Sequence, residues 1–201
     1  MSDVGTARAM SALRRFSAPQ VAAARCDLCA TALGEPHHHL LEPEKRELVC
    51  ACGACALLFP EDGGGRYRRI RSRAVRIPNM QLGDDDFRAL ELPVRLAFLC
   101  PSRVHGRTFA IYPNPGGTTE AAVPLAAWEE LVTAHPALAG IEPDVEGLLI
   151  DHLGGRKRCF LASLDVCHHF VGLLRAQRGS FGTSLAEAMR FLDGLDGGER
   201  G

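Results

Sequence analysis

Four stretches of the chain are apolar runs or alternate apolar with polar positions, each bounded by Gly or Pro: VRLAFLC (94–100), RTFAIY (107–112), EGLLIDHL (146–153) and RCFLASL (158–164). Runs of this length with such boundaries predict β-strands. PLAAWEELVTAH instead sets Leu125, Trp128, Leu131 and Val132 at helical spacing behind Pro124, whose fixed φ suits a first turn. SLDVCHHFVGLLRAQR and TSLAEAMRFLDGL follow the same period, with caps expected near Ser163 or Asp165 and at Thr183 or Ser184. GDDDFRALELP predicts a short helix with Asp84 or Asp85 as N-cap and Pro93 beyond its end. PNPGGTTE has the glycines of a phosphate loop but not its Gly-Lys-Ser/Thr ending, and reads as a hairpin turn. This order predicts an α+β fold, an antiparallel sheet packed with helices.

The first third of the chain follows neither period for long. Residues 1–22 are expected to form a flexible arm, 23–62 a small Cys-rich metal-binding unit, 63–195 the α+β domain and 196–201 a flexible tail. Five of the eight cysteines fall between Cys26 and Cys55. Cys26-x2-Cys29 and Cys52-x2-Cys55, 22 residues apart, match the two halves of a four-thiolate site at a spacing slightly beyond that usual for zinc ribbons. Two residues between cysteines let one tight turn aim both sulfurs at a single ion. Between the pairs, apolar-flanked segments surround the polar turn Glu42 to Glu47, a β-hairpin pattern. If ACALLF begins a helix the unit is treble-clef-like; if it is extended the unit is a zinc ribbon. Cys50 is surplus to a four-ligand set and either replaces Cys52 or stands as a neighbouring thiol. His37 and His39 share one strand face and His38 the other, so at most an H-x-H pair meets one ion together; the alternative reading of these residues is a half-exposed polar strand start. Cys100, Cys159 and Cys167 are scattered and expected to be buried thiols, and His168 and His169 are assigned to helix packing.

Composition narrows the function classes. A formal charge of -1 supplies no overall field for nucleic acid or an anionic membrane. The arginines from Arg66 to Arg76 form a local cluster that is expected to run extended. Asp84, Asp85 and Asp86 offer it an internal partner, and Tyr67 is its one ring for base stacking, so nucleic-acid binding is not expected and a zinc-finger-type nucleic-acid-binding protein stands as an alternative only. No apolar run reaches the length of a membrane span, and the N-terminal residues lack the apolar core of a secretory signal, which predicts a cytoplasmic protein. Lys45 and Lys157 are the only lysines, a bias of GC-rich bacterial coding.

The segments RCDLC, HHHLL, RELVCACGACALLF, GGGRYR, AIYPNPGGTTE, LAGIEPDVEGLL and CHHFVGLLR, in this order, resemble an uncharacterised actinobacterial family, a domain of unknown function, over about residues 25–178. The resemblance implies a genomic context: genes of the family tend to lie beside those for an uptake nickel-iron hydrogenase and its maturation factors. By position, the family's C-x2-C falls on Cys26 and Cys29, its H-x-H on His37 and His39, and its C-x-C-x2-C on Cys50, Cys52 and Cys55. The resemblance brings no activity with it.

Three functions compete on these residues. The first is a non-catalytic accessory protein that binds Zn2+ and assists a hydrogenase-type metalloenzyme, its partner a hydrogenase subunit or maturation factor. The second is a redox carrier with iron, as an iron-thiolate or Fe–S centre, in the same thiolates. The third is a metal chaperone that uses Cys50 and the His37/His39 pair for nickel. No nucleophile, base and orienting group stand together, so an enzyme is not expected.

Overall fold

The computed structural model describes residues 24–34, 36–60, 65–114, 117–175 and 181–196; the expected arm at 1–22, and the expected tail beyond Asp196, lie outside them. In chain order the elements are β1 (His38–Glu42), β2 (Glu47–Ala51), α1 (Gly53–Ala56), β3 (Arg68–Ile70), β4 (Ala74–Arg76), α2 (Asp84–Ala89), β5 (Leu96–Ser102), β6 (Arg107–Asn114) and β7 (Gly117–Ala122). They continue with α3 (Leu125–Ala134), a 3₁₀ turn at Pro136–Gly140, β8 (Glu146–Asp151), β9 (Arg158–Ser163), α4 (Leu164–Arg175) and α5 (Phe181–Asp196). The fold is α+β, with a three-stranded sheet ordered β2-β1-β3 and a six-stranded sheet ordered β4-β9-β8-β5-β6-β7. Both sheets are antiparallel throughout.

Side chains alternate across a strand, so the central strands β5 and β8 feed two cores at once. Leu96, Phe98, Cys100 and Leu149 face α4 and α5, joined by Phe160 and Ala162 of β9 and by Phe170, Ala188 and Leu192 of the helices. Ala97, Leu99, Leu148 and Ile150 face the other way, toward Phe87 and Leu90 of the α2 region, Trp128 and Leu131 of α3, and Leu138. Burial on both faces explains why these strands read as continuous apolar runs. Across the β8–β9 pair the fully buried Asp151 accepts hydrogen bonds from Arg158 Nε at 3.0 Å and Nη2 at 2.5 Å. Arg158 Nη1 also reaches Asp193 on α5 at 2.8 Å, which fastens that helix to the sheet.

Several elements differ from the sequence reading at their ends. The N-cap of α2 is Gly83, one residue before the expected aspartates; its N–H donates to Asp86 Oδ2 at 2.6 Å, so the acidic run satisfies the helix from within the first turn. Helix α5 begins at Phe181, ahead of the expected caps Thr183 and Ser184. The glycine-containing PNPGGTTE does turn the chain, with residues 115–116 outside the described set, but its last half is the edge strand β7.

The arginine-rich stretch is extended, as expected, yet it is divided between the sheets: β3 pairs with β1 and β4 pairs with β9. Three of its arginines pair with carboxylates other than the expected aspartates at 84–86. Arg66 Nε bonds Glu42 at 3.0 Å, Arg68 bonds Glu142 and the Pro143 carbonyl, and Arg73 Nη2 bonds Glu146 at 2.9 Å. The physical reason is placement: Asp84 and Asp85 pair locally with Arg95 and Arg88, while the arginine stretch runs beside residues 142–146.

Candidate metal centre

The first Cys pair sits on a tight knuckle. Arg25 and Ala32 form an antiparallel bridge, Cys26 N–H donates to Thr31 O at 2.8 Å, and Ala30 N–H returns to Cys26 O at 2.8 Å. Closing that turn puts Ala30 at φ 61, a conformation normally left to glycine. Asp27 then ties the knuckle to the hairpin: its N–H donates to Cys50 O at 2.9 Å, and its Oδ2 accepts from Cys50 N–H at 2.6 Å. The second pair follows β2 directly, with Cys52 as the extended N-cap of α1 and its carbonyl accepting from Ala56 N–H at 2.9 Å. The second pair thus lies at the start of a one-turn helix, with Cys55 inside α1, the placement expected of a treble-clef-like unit and not the extended one of a ribbon.

These two turns bring Cys26, Cys29, Cys52 and Cys55 together, all four Sγ atoms lying within 4.8 Å of one another. Cys29 and Cys52 Sγ are 3.7 Å apart. A tetrahedron of Zn–S bonds of about 2.3 Å has sulfurs about 3.8 Å apart, so the donor set fits a four-coordinate thiophilic ion with little adjustment. All eight cysteines are free thiols. Behind the sulfurs, among the described residues, lies a small core of Cys26, Leu40, Ala51 and Ala56, with Leu33, Val49, Phe59 and Tyr67 partly buried against it.

Electrostatics within the group are polarised. The Cys52 backbone N–H and, against the effect of burial, those of Leu28 and Cys29 lower the Cys26 thiol to about 6. The Thr31 hydroxyl, 3.4 Å from Cys29 Sγ, lowers Cys29 as well. Cys55, crowded first by Cys52 and then by Cys29, is pushed up to about 12. Four neighbouring sulfurs cannot all carry charge unless a cation compensates them.

Cys50 does not join or replace a member of this set. In the β1–β2 register it lies directly opposite His39, and with His37 and His39 it forms a separate group whose ligand atoms also fall within 4.8 Å of one another. The strand pleat explains the division, since Cys50 faces the His37/His39 side while Ala51 and Leu40 face the thiol core. His38 turns to that opposite side, with Nε2 close to Gly53. The other cysteines are placed as expected: Cys100, Cys159 and Cys167 are buried, and burial pushes the first two thiols up to about 12 and the third well above its ordinary value. His168 and His169 are exposed on α4, the His169 ring 4.8 Å from that of Phe191 on α5.

A family model covers residues 25–198, almost the whole of the described chain. The chain belongs to DUF5947, a family of unknown function. No curated protein and no solved structure matches it. The DUF5947 match thus spans both the Cys-rich unit and the larger sheet, with the two ligand groups inside it.

Sequence reasoning missed Asp27, Thr31 and Asp165 around these groups. Thr31 and Asp27 carried a local signal, lying within two residues of a site cysteine. Asp165, whose carboxylate approaches His39 Nδ1 at 3.6 Å, carried none, because the two are brought together by tertiary packing. Among the described residues no helix is long and apolar enough to cross a membrane.

Proposed function

We propose that this DUF5947 protein is a non-catalytic, cytoplasmic Zn2+-binding accessory protein that assists the assembly or function of a nickel-iron hydrogenase-type metalloenzyme. The observation that carries the metal reading is the convergence of four free thiols, Cys26, Cys29, Cys52 and Cys55, within 4.8 Å. Four thiolates close the coordination sphere of zinc and leave no position for substrate, the pattern of a structural site. The ion then supplies folding energy to a unit whose own core, among the described residues, is four buried residues and a partly buried rim.

The hydrogenase part rests on the gene neighbourhood implied by the family resemblance. In this reading the zinc unit shapes a surface for a protein partner, with Leu57 and Leu58, 78% and 74% exposed just after α1, as its apolar element. Iron suits the same donors, and the metal's identity decides between the accessory and redox readings. In a bacterium carrying both genes, deleting this one should lower hydrogenase activity. The wild-type gene should restore it, and a Cys29→Ser/Cys55→Ser variant should not. Hydrogenase activity unchanged by the deletion would remove the hydrogenase assignment while leaving the metal centre standing.

A further inference from the structure

We propose a second metal site, sharing no residue with the four-thiolate centre, in which His37, His39 and Cys50 hold an exchangeable divalent transition ion and Asp165 orients His39. One ring nitrogen from each histidine and the Cys50 sulfur lie within 4.8 Å of one another. The hairpin builds this geometry. His39 and Cys50 are directly opposed in the β1–β2 register, and His37 lies two residues earlier on the same face, its ring centroid 4.7 Å from that of His39. Opposed residues on one face of an antiparallel pair are the closest side-chain neighbours a sheet offers.

Asp165 supplies a second, independent sign of a built site. Its carboxylate is 7% exposed and 3.6 Å from His39 Nδ1. It is held in place by the Ser163 hydroxyl and by its own contact with the Val166 N–H at 2.9 Å, at the start of α4. A carboxylate on one imidazole nitrogen fixes the tautomer and presents the other nitrogen to a metal. When Nδ1 carries the proton shared with Asp165, Nε2 is the nitrogen that coordinates.

The donor set names the class of ion. Two imidazoles and one thiolate suit a borderline cation such as Zn2+, Co2+ or Ni2+ and disfavour Mg2+ and Ca2+, which take oxygen ligands. All three residues are half-buried, and three protein donors leave one position for water or an incoming ligand. This is the opposite of the closed thiolate site. Because Asp165 belongs to α4 and His39 to the hairpin, the contact that orients His39 also joins the small sheet to that helix.

Full-length protein carrying a single equivalent of Zn2+, held in the four-thiolate centre, and titrated anaerobically with Co2+ tests the site. The expected result is one further equivalent of Co2+, with tetrahedral d–d bands and a single-sulfur charge-transfer band, and no zinc released to a chromogenic chelator. Cys50→Ser should remove the charge-transfer band, and His37→Ala/His39→Ala should abolish Co2+ binding while retaining the zinc. Asp165→Asn should weaken Co2+ affinity about tenfold or more without abolishing it. Absence of Co2+ binding to wild-type protein, an unchanged spectrum in Cys50→Ser, or stoichiometric zinc release would overturn the site. The variants touch none of the four central cysteines, so failure here is distinct from failure of the thiolate centre.

Discussion

Glu42, at the end of β1, accepts from Arg66 Nε at 3.0 Å and from Lys45 Nζ at 3.1 Å. Arg66 first, then Lys45, holds its carboxyl below the ordinary 4.5, against a smaller opposing effect of burial. A carboxyl whose folded value is lowered binds protons more weakly in the folded chain than in the unfolded one. Its stabilisation is therefore complete above the unfolded value and is lost as pH falls through the folded one. Glu42→Gln should lower the melting temperature at neutral pH, with the difference from wild type shrinking as pH falls through the lowered folded value. Thermal melts across pH check this, and a constant difference at all pH values would assign the effect to packing. At this scale the cysteine pairs were legible because a C-x2-C spacing encodes a local turn. The allocation of Cys50 was not, since it depends on which face of β2 it occupies, and neither was the pairing of Arg68 and Arg73 with Glu142 and Glu146, which are far away in sequence.

The central strands depend on one residue's lack of a side chain. A Cβ on Gly147 of β8 would stand 2.3 Å from the Leu99 carbonyl oxygen of β5 and 2.8 Å from the Phe98 ring. Backbone in the middle of a sheet cannot step aside, so Gly147→Ala should destabilise the protein by about 1–3 kcal/mol. Urea unfolding should show a lower midpoint with an unchanged slope; an unchanged midpoint would mean that the two strands separate at no cost. Strands β5, β6, β8 and β9 were readable because burial or regular alternation leaves a plain hydrophobic record. β7 was not, as an edge strand of Thr, Glu and Ala beside two glycines has the composition of a turn and gains its structure from pairing with β6. The α2 cap moved to Gly83 for a related reason: three consecutive aspartates all suit a first turn, and only the hydrogen-bond geometry picks the boundary.

Over the whole molecule, the three-stranded sheet has two faces with different tasks. One carries Leu40 and Ala51 into the small thiol core. The other sends Leu41, with Ile70 of β3, into the core shared by α4, α5 and the six-stranded sheet. The α+β class followed from the order of periodic segments. The attachment of β3 to the hairpin did not, because an arginine-rich strand offers no apolar pattern and is stabilised by carboxylates from distant parts of the chain. What the small unit lacks in buried area the proposed ion supplies, so the central claim is that Cys26, Cys29, Cys52 and Cys55 hold one metal ion tightly. Elemental analysis and the absorption spectrum of anaerobically purified, extensively dialysed protein test it most directly. The account predicts one tightly held zinc per chain, no visible absorption, and loss of the zinc in Cys26→Ser/Cys55→Ser but not in Cys50→Ser. Wild-type protein that is folded, carries no tightly held metal and shows all four of these thiols freely reactive would contradict it.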